Sequence, residues 1–229
     1  MKKTPGIADT EQQLPVGNTG KLNPAVLLEK AKILKDSRTV KAGVLDGIFI
    51  KKYNSKGVLH FLRHLFQIPR PYRCRRTAEH LLRHGITTPQ VLMTARNFLV
   101  TEAVDAVFCD KEIPSPAVLG TTLAELHNAK VYHGDVSLRN FYRIAGSSRL
   151  GVIDLDSARI YRWHLPERAR NKDIARIISS YMIVTGNRER TDLIPEISSS
   201  FLAHYNKEMS ELPLQVFKRV VYLLQRKRK

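Results

Sequence analysis

Cysteine is scarce in these 229 residues: Cys74 and Cys109 are the only two. That is too few for a disulfide framework and fits a reducing compartment. No apolar run approaches the roughly 20 residues of a membrane span, which excludes a helical transmembrane segment. Met1-Lys2-Lys3 is basic, but no hydrophobic stretch follows it, so no secretory signal is expected and the protein reads as cytoplasmic. The 8 histidines show neither HExxH nor a Cys/His ligand spacing, which argues against a metal hydrolase. No internal repeat is visible. Acidic residues are also in short supply: 21 Asp and Glu stand against 38 Lys and Arg, a formal net charge of +17. Such an excess implies a polyanionic partner, whether nucleic acid, an acidic membrane face or a phosphorylated glycolipid. Arg63, Arg70, Arg73, Arg75, Arg76 and the tail Arg226-Lys227-Arg228-Lys229 contribute most visibly. A solvated basic face with no dedicated ligand is the plainer reading of each of them.

What is present concentrates in two short stretches. His133-Gly134-Asp135-Val136-Ser137-Leu138-Arg139-Asn140 is followed by Ile153-Asp154-Leu155-Asp156. An Asp in a tight loop, an Asn five residues on and an Asp ending a later apolar strand form the acid set of a kinase-type phosphotransfer site. Asp135 would accept the proton of an acceptor hydroxyl. Asn140 and Asp154 would offer the hard oxygen ligands that Mg²⁺ prefers, and His133 would brace the loop. Short strands over 141–144 and 150–153, joined by the turn Ala145-Gly146-Ser147-Ser148, would bring Asn140 and Asp154 to one end of a hairpin.

Upstream, the alternation in Val44 to Tyr53, broken at Asp46-Gly47, predicts a hairpin whose second strand carries Lys51 after apolar residues, as in V-A-I-K. Lys51 would bind phosphates and Lys52 would point to the opposite face. A solvent-facing lysine pair on an edge strand is the structural alternative. Between Asp46 and Glu102 the only carboxylate is Glu79, against ten Lys and Arg over residues 51–96. Glu79 lies in a helical segment running from Arg75 to His84 and ended by Gly85. It is either the ion-pair partner of Lys51 or a surface residue answering Arg75, Arg76 or Arg83. There is no G-x-G-x-x-G, since residues 38–50 hold only Gly43 and Gly47, so phosphate cradling must be looser. Gly17-Asn18-Thr19-Gly20-Lys21 lacks both P-loop spacing and a preceding strand. Asn97 to Ala103 reads as a strand entering a connection. Ser115-Pro116 opens a helix whose Leu119, Leu123 and Leu126 form a core stripe, with His127 packed beside it. Helical spacing recurs at Lys172–Met182 and again toward Leu224. No A-P-E segment is present, which argues against a protein kinase with a regulated activation loop.

Residues 123–141 and 153–159 resemble the lipopolysaccharide core kinases, the Kdo and heptose kinases and their InaA-type relatives. Ile48-Phe49-Ile50-Lys51-Lys52-Tyr53 and Leu82 to Pro89 are similar to that family's lysine strand and helix-to-strand turn. The resemblance spans roughly residues 38–185. It implies an α+β, two-lobed protein-kinase-like fold, with a small antiparallel-sheet N-lobe and a helical C-lobe. It implies ATP and Mg²⁺ as cofactors and a sugar hydroxyl as acceptor, in the lipopolysaccharide inner core on an anionic glycolipid. Peripheral contact with the anionic inner-membrane surface would follow, with nucleic acid a weaker candidate partner. The hinge backbone at Thr101, Glu102 and Ala103 would bind adenine, Asp156 would be structural through backbone or Arg159, and Asp173 would bond the catalytic-loop backbone. Residues 1–36 are expected to be a mobile arm, 37–103 the nucleotide lobe and 104–229 the catalytic lobe. Two other readings compete: a small atypical protein kinase or ATPase of the tRNA-modification type, and a basic pseudokinase that binds nucleic acid.

Overall fold

The computed structural model describes residues 23–54, 68–206 and 211–226. Five antiparallel strands, β1 (Lys32–Asp36), β2 (Val40–Leu45), β3 (Ile48–Tyr53), β4 (Val91–Ala95) and β5 (Phe98–Glu102), form one sheet in the order β1-β2-β3-β5-β4. Asp46 and Gly47 take φ of 45° and 74° while Leu45 pairs with Ile48. The expected break is therefore a two-residue hairpin whose positive φ values match the strand twist.

Alternation along β3 separates two cores. Ile50 packs with Phe98, Val100, Leu28 and Ala31. On the opposite face Tyr53, Ala42 and Leu99 join Cys74 and Ala78 in a larger cluster that continues into the helical half. Helix α1 (Pro24–Lys30) covers the first face, capped by Asn23, whose side-chain oxygen accepts from the Ala25 N–H at 3.0 Å. Residues 24–36 therefore depart from the mobile arm expected of them and form α1 and β1. The apolar outer sheet face needs a cover, and Leu28 and Ala31 supply it. Gly43 admits β1 alongside, since a Cβ there would stand 2.9 Å from the Lys32 carbonyl oxygen. Strand β1 is exposed at every position, so it carries no alternating signal to read. The Gly17–Lys21 stretch lies outside the described residues.

Helix α2 (Arg70–Arg83) starts a turn and a half earlier than expected, with Pro71 in its first turn, and Gly85 ends it at φ 69°. In the second half, α3 (Pro116–Asn128) begins at Ser115, whose hydroxyl accepts from the Val118 N–H. Its Leu119, Leu123 and Leu126 are buried as expected. Helices α4 (Glu167–Val184), α5 (Ile194–Tyr205) and α6 (Leu214–Gln225) complete this half, with α3 packed on α5 and α4 on α6. Two short ribbons lie among them: β6 (Val131–Tyr132) with β9 (Arg159–Ile160), and β7 (Phe141–Arg143) with β8 (Leu150–Val152). The molecule is thus α+β, an antiparallel sheet followed by a helical region. No described helix is long and apolar enough to cross a membrane.

Candidate active site

The segment between β6 and β7 is held from beneath by Asp173 of α4. Asp173 is fully buried. Its carboxylate accepts from the His133 N–H at 2.9 Å and the Gly134 N–H at 3.1 Å, so two loop donors meet one buried charge. The expected tie between Asp173 and the loop is present. Gly134 takes φ 80°, and a Cβ there would lie 2.9 Å from the Ser157 carbonyl oxygen, so only glycine fits. His133 is fully buried and braces the loop at both ring nitrogens. Nδ1 accepts from the Asp135 N–H at 3.3 Å, and Nε2 donates to the Ile153 carbonyl at 3.1 Å. His127 is packed rather than exposed, between the Tyr205 hydroxyl at 2.7 Å and Asp173 at 3.4 Å.

Asp135 projects outward, with 62% of its side chain exposed, and sits 3.2 Å from Arg176 Nη1. The same guanidinium donates to the Gly134 carbonyl. Arg176 was not singled out in the sequence, although it lies three residues after Asp173 and therefore shares that helical face. Asn140 spends its amide N–H on the Asp135 carbonyl at 2.8 Å, which leaves its side-chain oxygen as an available ligand. The β7–β8 hairpin has Phe141 opposite Val152, and the Ile153 N–H donates to the Asn140 carbonyl at 2.9 Å. Asn140 and Asp154 therefore meet at one end of it.

Asp154 takes the left-handed conformation, φ 57° and ψ 60°. Its carboxylate lies 2.8 Å from Lys51 Nζ. Lys51, paired in register with Ala42 and Leu99 on the two neighbouring strands, extends from the sheet face that meets α2. Lys52 lies on the other face, over the Phe98 ring.

The second carboxylate on Lys51 is Asp156, also at 2.8 Å. Asp156 further accepts from the Tyr53 hydroxyl at 2.5 Å and the Cys74 thiol at 3.3 Å, while its backbone carbonyl accepts from Arg73 at 2.6 Å. Glu79, read as either the lysine's partner or a surface residue answering an arginine, is the surface residue and not the partner. It pairs with Arg75 at 2.7 Å on the solvent side of α2, both side chains about half exposed. The inward positions of α2 are Cys74, Thr77, Ala78 and Leu81, none of them acidic, so the lysine draws its acid from the segment after β8. Asp156 was expected to bond backbone or Arg159; it bonds β3 and α2 side chains instead. Burial opposes the charge on Lys51, but Asp156 and Asp154 together hold its pKa above the usual lysine value. Burial likewise opposes ionisation of Asp156, and Lys51 overrides it and holds that carboxyl below the usual range. The Cys74 thiol is pushed up to about 12, by burial first and then by the Asp156 charge.

These groups border one cavity of about 680 Å³, lined by Val40, Ala42 and Val44 of β2, Lys51, Leu99, the 101–105 connection, Asn140, Asp154 and Asp156. Its size and apolar walls suit a small organic ligand. Along the connection, the Glu102 N–H donates to the Gln90 carbonyl and the Ala103 N–H to the Gly47 carbonyl, at 3.0 and 2.8 Å. Of the expected hinge residues Thr101, Glu102 and Ala103, the last two have their backbone donors committed to the sheet. Among the described residues the N–H groups of Val104 and Asp105, one and two positions later, carry no such bond. Arg73 is likewise not the surface cation expected of it, and Arg63 lies outside the described residues.

Residues 116–205 match the model of the Lipopolysaccharide kinase (Kdo/WaaP) family. That segment runs from the start of α3 to the end of α5 and holds Asp135, Asn140, Asp154 and Asp173. An ethanolamine kinase from Plasmodium vivax superposes with a TM-score of 0.53 at 12% identity, over 84% of this chain and 71% of that one. The Rio2 kinase from Chaetomium thermophilum aligns at 0.49 and 13%, over 85% and 71%. No curated protein matches by sequence. The ethanolamine kinase likeness shows the protein-kinase-like fold. Fold and family match together support a phosphotransferase of the kinase class.

Proposed function

We propose that this protein is an ATP- and Mg²⁺-dependent kinase that phosphorylates a sugar hydroxyl of the lipopolysaccharide inner core, working at the cytoplasmic membrane face. The observation that supports it most is the convergence of Lys51, Asn140 and Asp154 on one cavity, with Asp135 joined to Asn140 at its edge. Asn140 and Asp154 together offer an amide oxygen and a carboxylate. Magnesium takes one or two such protein ligands and completes its shell with phosphates and water, so the donor set fits the ion. The described residues contain no group of three or more His, Cys, Asp or Glu placed to hold a metal ion by themselves, and this mode of binding needs none. Bound ATP would supply the phosphoryl group and Mg²⁺ would neutralise its developing charge.

Each residue then has one task. Asp135, steadied by Arg176 and tethered by its own backbone, accepts the proton of the sugar hydroxyl at a carboxylate oxygen. Lys51 holds phosphate oxygens while Asp156 keeps its ammonium in place, the job a helix glutamate does in the kinase pattern. Asn140 and Asp154 would hold the metal, and His133 and Asp173 fix the loop. Adenine would be received by β2 and the connection after β5, where Val104 and Asp105 offer donors beyond the expected Thr101–Ala103. In this reading the nucleotide lobe ends near residue 103 and the helical lobe receives the anionic sugar acceptor, with basic surface residues favouring contact with anionic lipid. The test is transfer of phosphate from ATP to core oligosaccharide, read by mass spectrometry. Asp135→Asn should lose at least about 10²-fold in rate, since positioned proton transfer contributes that much or more, yet still bind nucleotide. An unchanged rate would remove Asp135 from the mechanism, and an unchanged phosphate count with the wild-type protein would overturn the sugar assignment.

A further inference from the structure

Trp163 has 74% of its surface exposed, more than any other large hydrophobic residue described, and it is the single tryptophan of the chain. One exposed aromatic is ordinary, but its surroundings are not. Arg159, Arg162, Arg168 and Arg170 are all exposed within the same stretch, which runs from β9 into the first turn of α4. Glu167 is the only acid there, and it accepts from Asn171 and Gln215 rather than from an arginine. None of the four arginines forms an ion pair among the described residues. The Arg162 guanidinium lies 4.9 Å from the Trp163 ring centroid, so cation and indole form one surface unit.

The fold fixes this patch beside the acceptor side of the site. Arg159 pairs in register with Tyr132, the residue before His133, and the Tyr161 N–H donates to the Lys130 carbonyl at 2.9 Å. Helix α4, which begins at the other end of the patch, carries the Asp173 and Arg176 that touch the Asp135 loop. We propose that the surface formed by Arg159, Arg162, Trp163 and Arg168 docks on an anionic lipid bilayer and turns the mouth at Asp135 toward the headgroups. The proposal rests on the glycolipid-acceptor reading above and says where that acceptor is met. An indole settles at the membrane–water interface, arginine stems lie on apolar surface with the charge kept in water, and anionic headgroups attract each cation. Single-stranded nucleic acid binding is built on several aromatic platforms along a basic groove, whereas a bilayer needs one anchor within positive charge.

Because Trp163 is the only tryptophan, its emission reports the contact directly and needs no activity measurement. Phosphatidylcholine vesicles containing phosphatidylglycerol should shift the emission to the blue and carry the protein in flotation, and phosphatidylcholine alone should do neither. Arg159→Gln and Arg162→Gln should each weaken flotation roughly fivefold, and Trp163→Ala should weaken it further while leaving nucleotide-induced thermal stabilisation intact. Unshifted emission on the acidic vesicles overturns the proposal, as does flotation indifferent to all three substitutions or a blue shift with an RNA oligonucleotide but not with lipid. Vesicle binding together with no phosphate transfer would instead overturn the acceptor reading and leave the docking surface standing.

Discussion

At Asp156 a single carboxylate gathers the ammonium of Lys51, the phenol of Tyr53 and the thiol of Cys74, and so joins β3 to α2. Removing its charge leaves a buried ammonium with Asp154 as its one anionic neighbour among the described residues. Asp156→Asn should therefore cost about 1.5–3 kcal/mol, the range for a hydrogen bond to a charged group, read from the urea midpoint, and should weaken nucleotide binding. Glu79→Gln is the matched control. It opens only a half-exposed i,i+4 pair, so stability should change by less than about 0.5 kcal/mol and phosphotransfer should be unaffected. The two results reversed would return the clamp to Glu79. The sign of the pH effect follows from the depressed value of Asp156: its contribution is full above the ordinary aspartate value of about 3.9 and is lost only as acid passes its lower folded value. The Cys74 thiol, pushed up to about 12, should resist iodoacetamide at neutral pH in the folded protein and react once unfolded, because the thiolate is the nucleophile.

Among the elements, α3 and α5 show how close two helices of the helical half pack. A Cβ at Gly120 would stand 2.3 Å from the Phe201 carbonyl oxygen, a backbone atom that cannot swing away. Gly120→Ala should thus lower stability by about 1–3 kcal/mol, as overpacking does, with a lower melting temperature as the readout. An unchanged melting temperature would mean that the two helices separate without cost. Most elements were legible in the sequence because their patterns are local: the Asp46-Gly47 hairpin, the Ser115 cap, the leucine stripe of α3 and the β7–β8 hairpin. Helix α1 and β1 were not. A seven-residue helix has too few turns to show a face, and an edge strand exposed at every position has no alternation. Both exist because the sheet's outer face offers apolar partners, which is a property of the assembled layer.

For the molecule as a whole, the buried polar set beneath the loop makes stability depend on pH. Burial holds His127 below the usual histidine range, against the pull of Asp173, so the folded state prefers the neutral ring. Stability from this group is full above about pH 6.5 and falls as the pH drops below it, since the unfolded chain then binds the extra proton. Denaturation across that interval should show a slope that His127→Gln reduces; an equal slope in both proteins would assign it to other groups. The +17 charge is also a whole-molecule quantity that only geometry apportions. Arg73 turns inward to the Asp156 carbonyl and Arg176 to the Asp135 loop, while the arginines from β9 into the first turn of α4 remain outward.

The sequence alone determined what depends on spacing: a loop with Asp135 and Asn140 five residues apart, a hairpin returning to Asp154, and a strand that carries Lys51 after three apolar residues. Local backbone geometry turns such intervals into proximity, so they can be read without a fold. Tertiary structure decided which acid meets Lys51, which donors remain free in the connection after β5, and which cations face outward. Those outcomes depend on contacts between residues about a hundred positions apart, as Lys51 and Asp156 are. Burial then assigns their worth, making Asp156 a clamp while leaving Glu79, the only acid in its stretch, to the solvent.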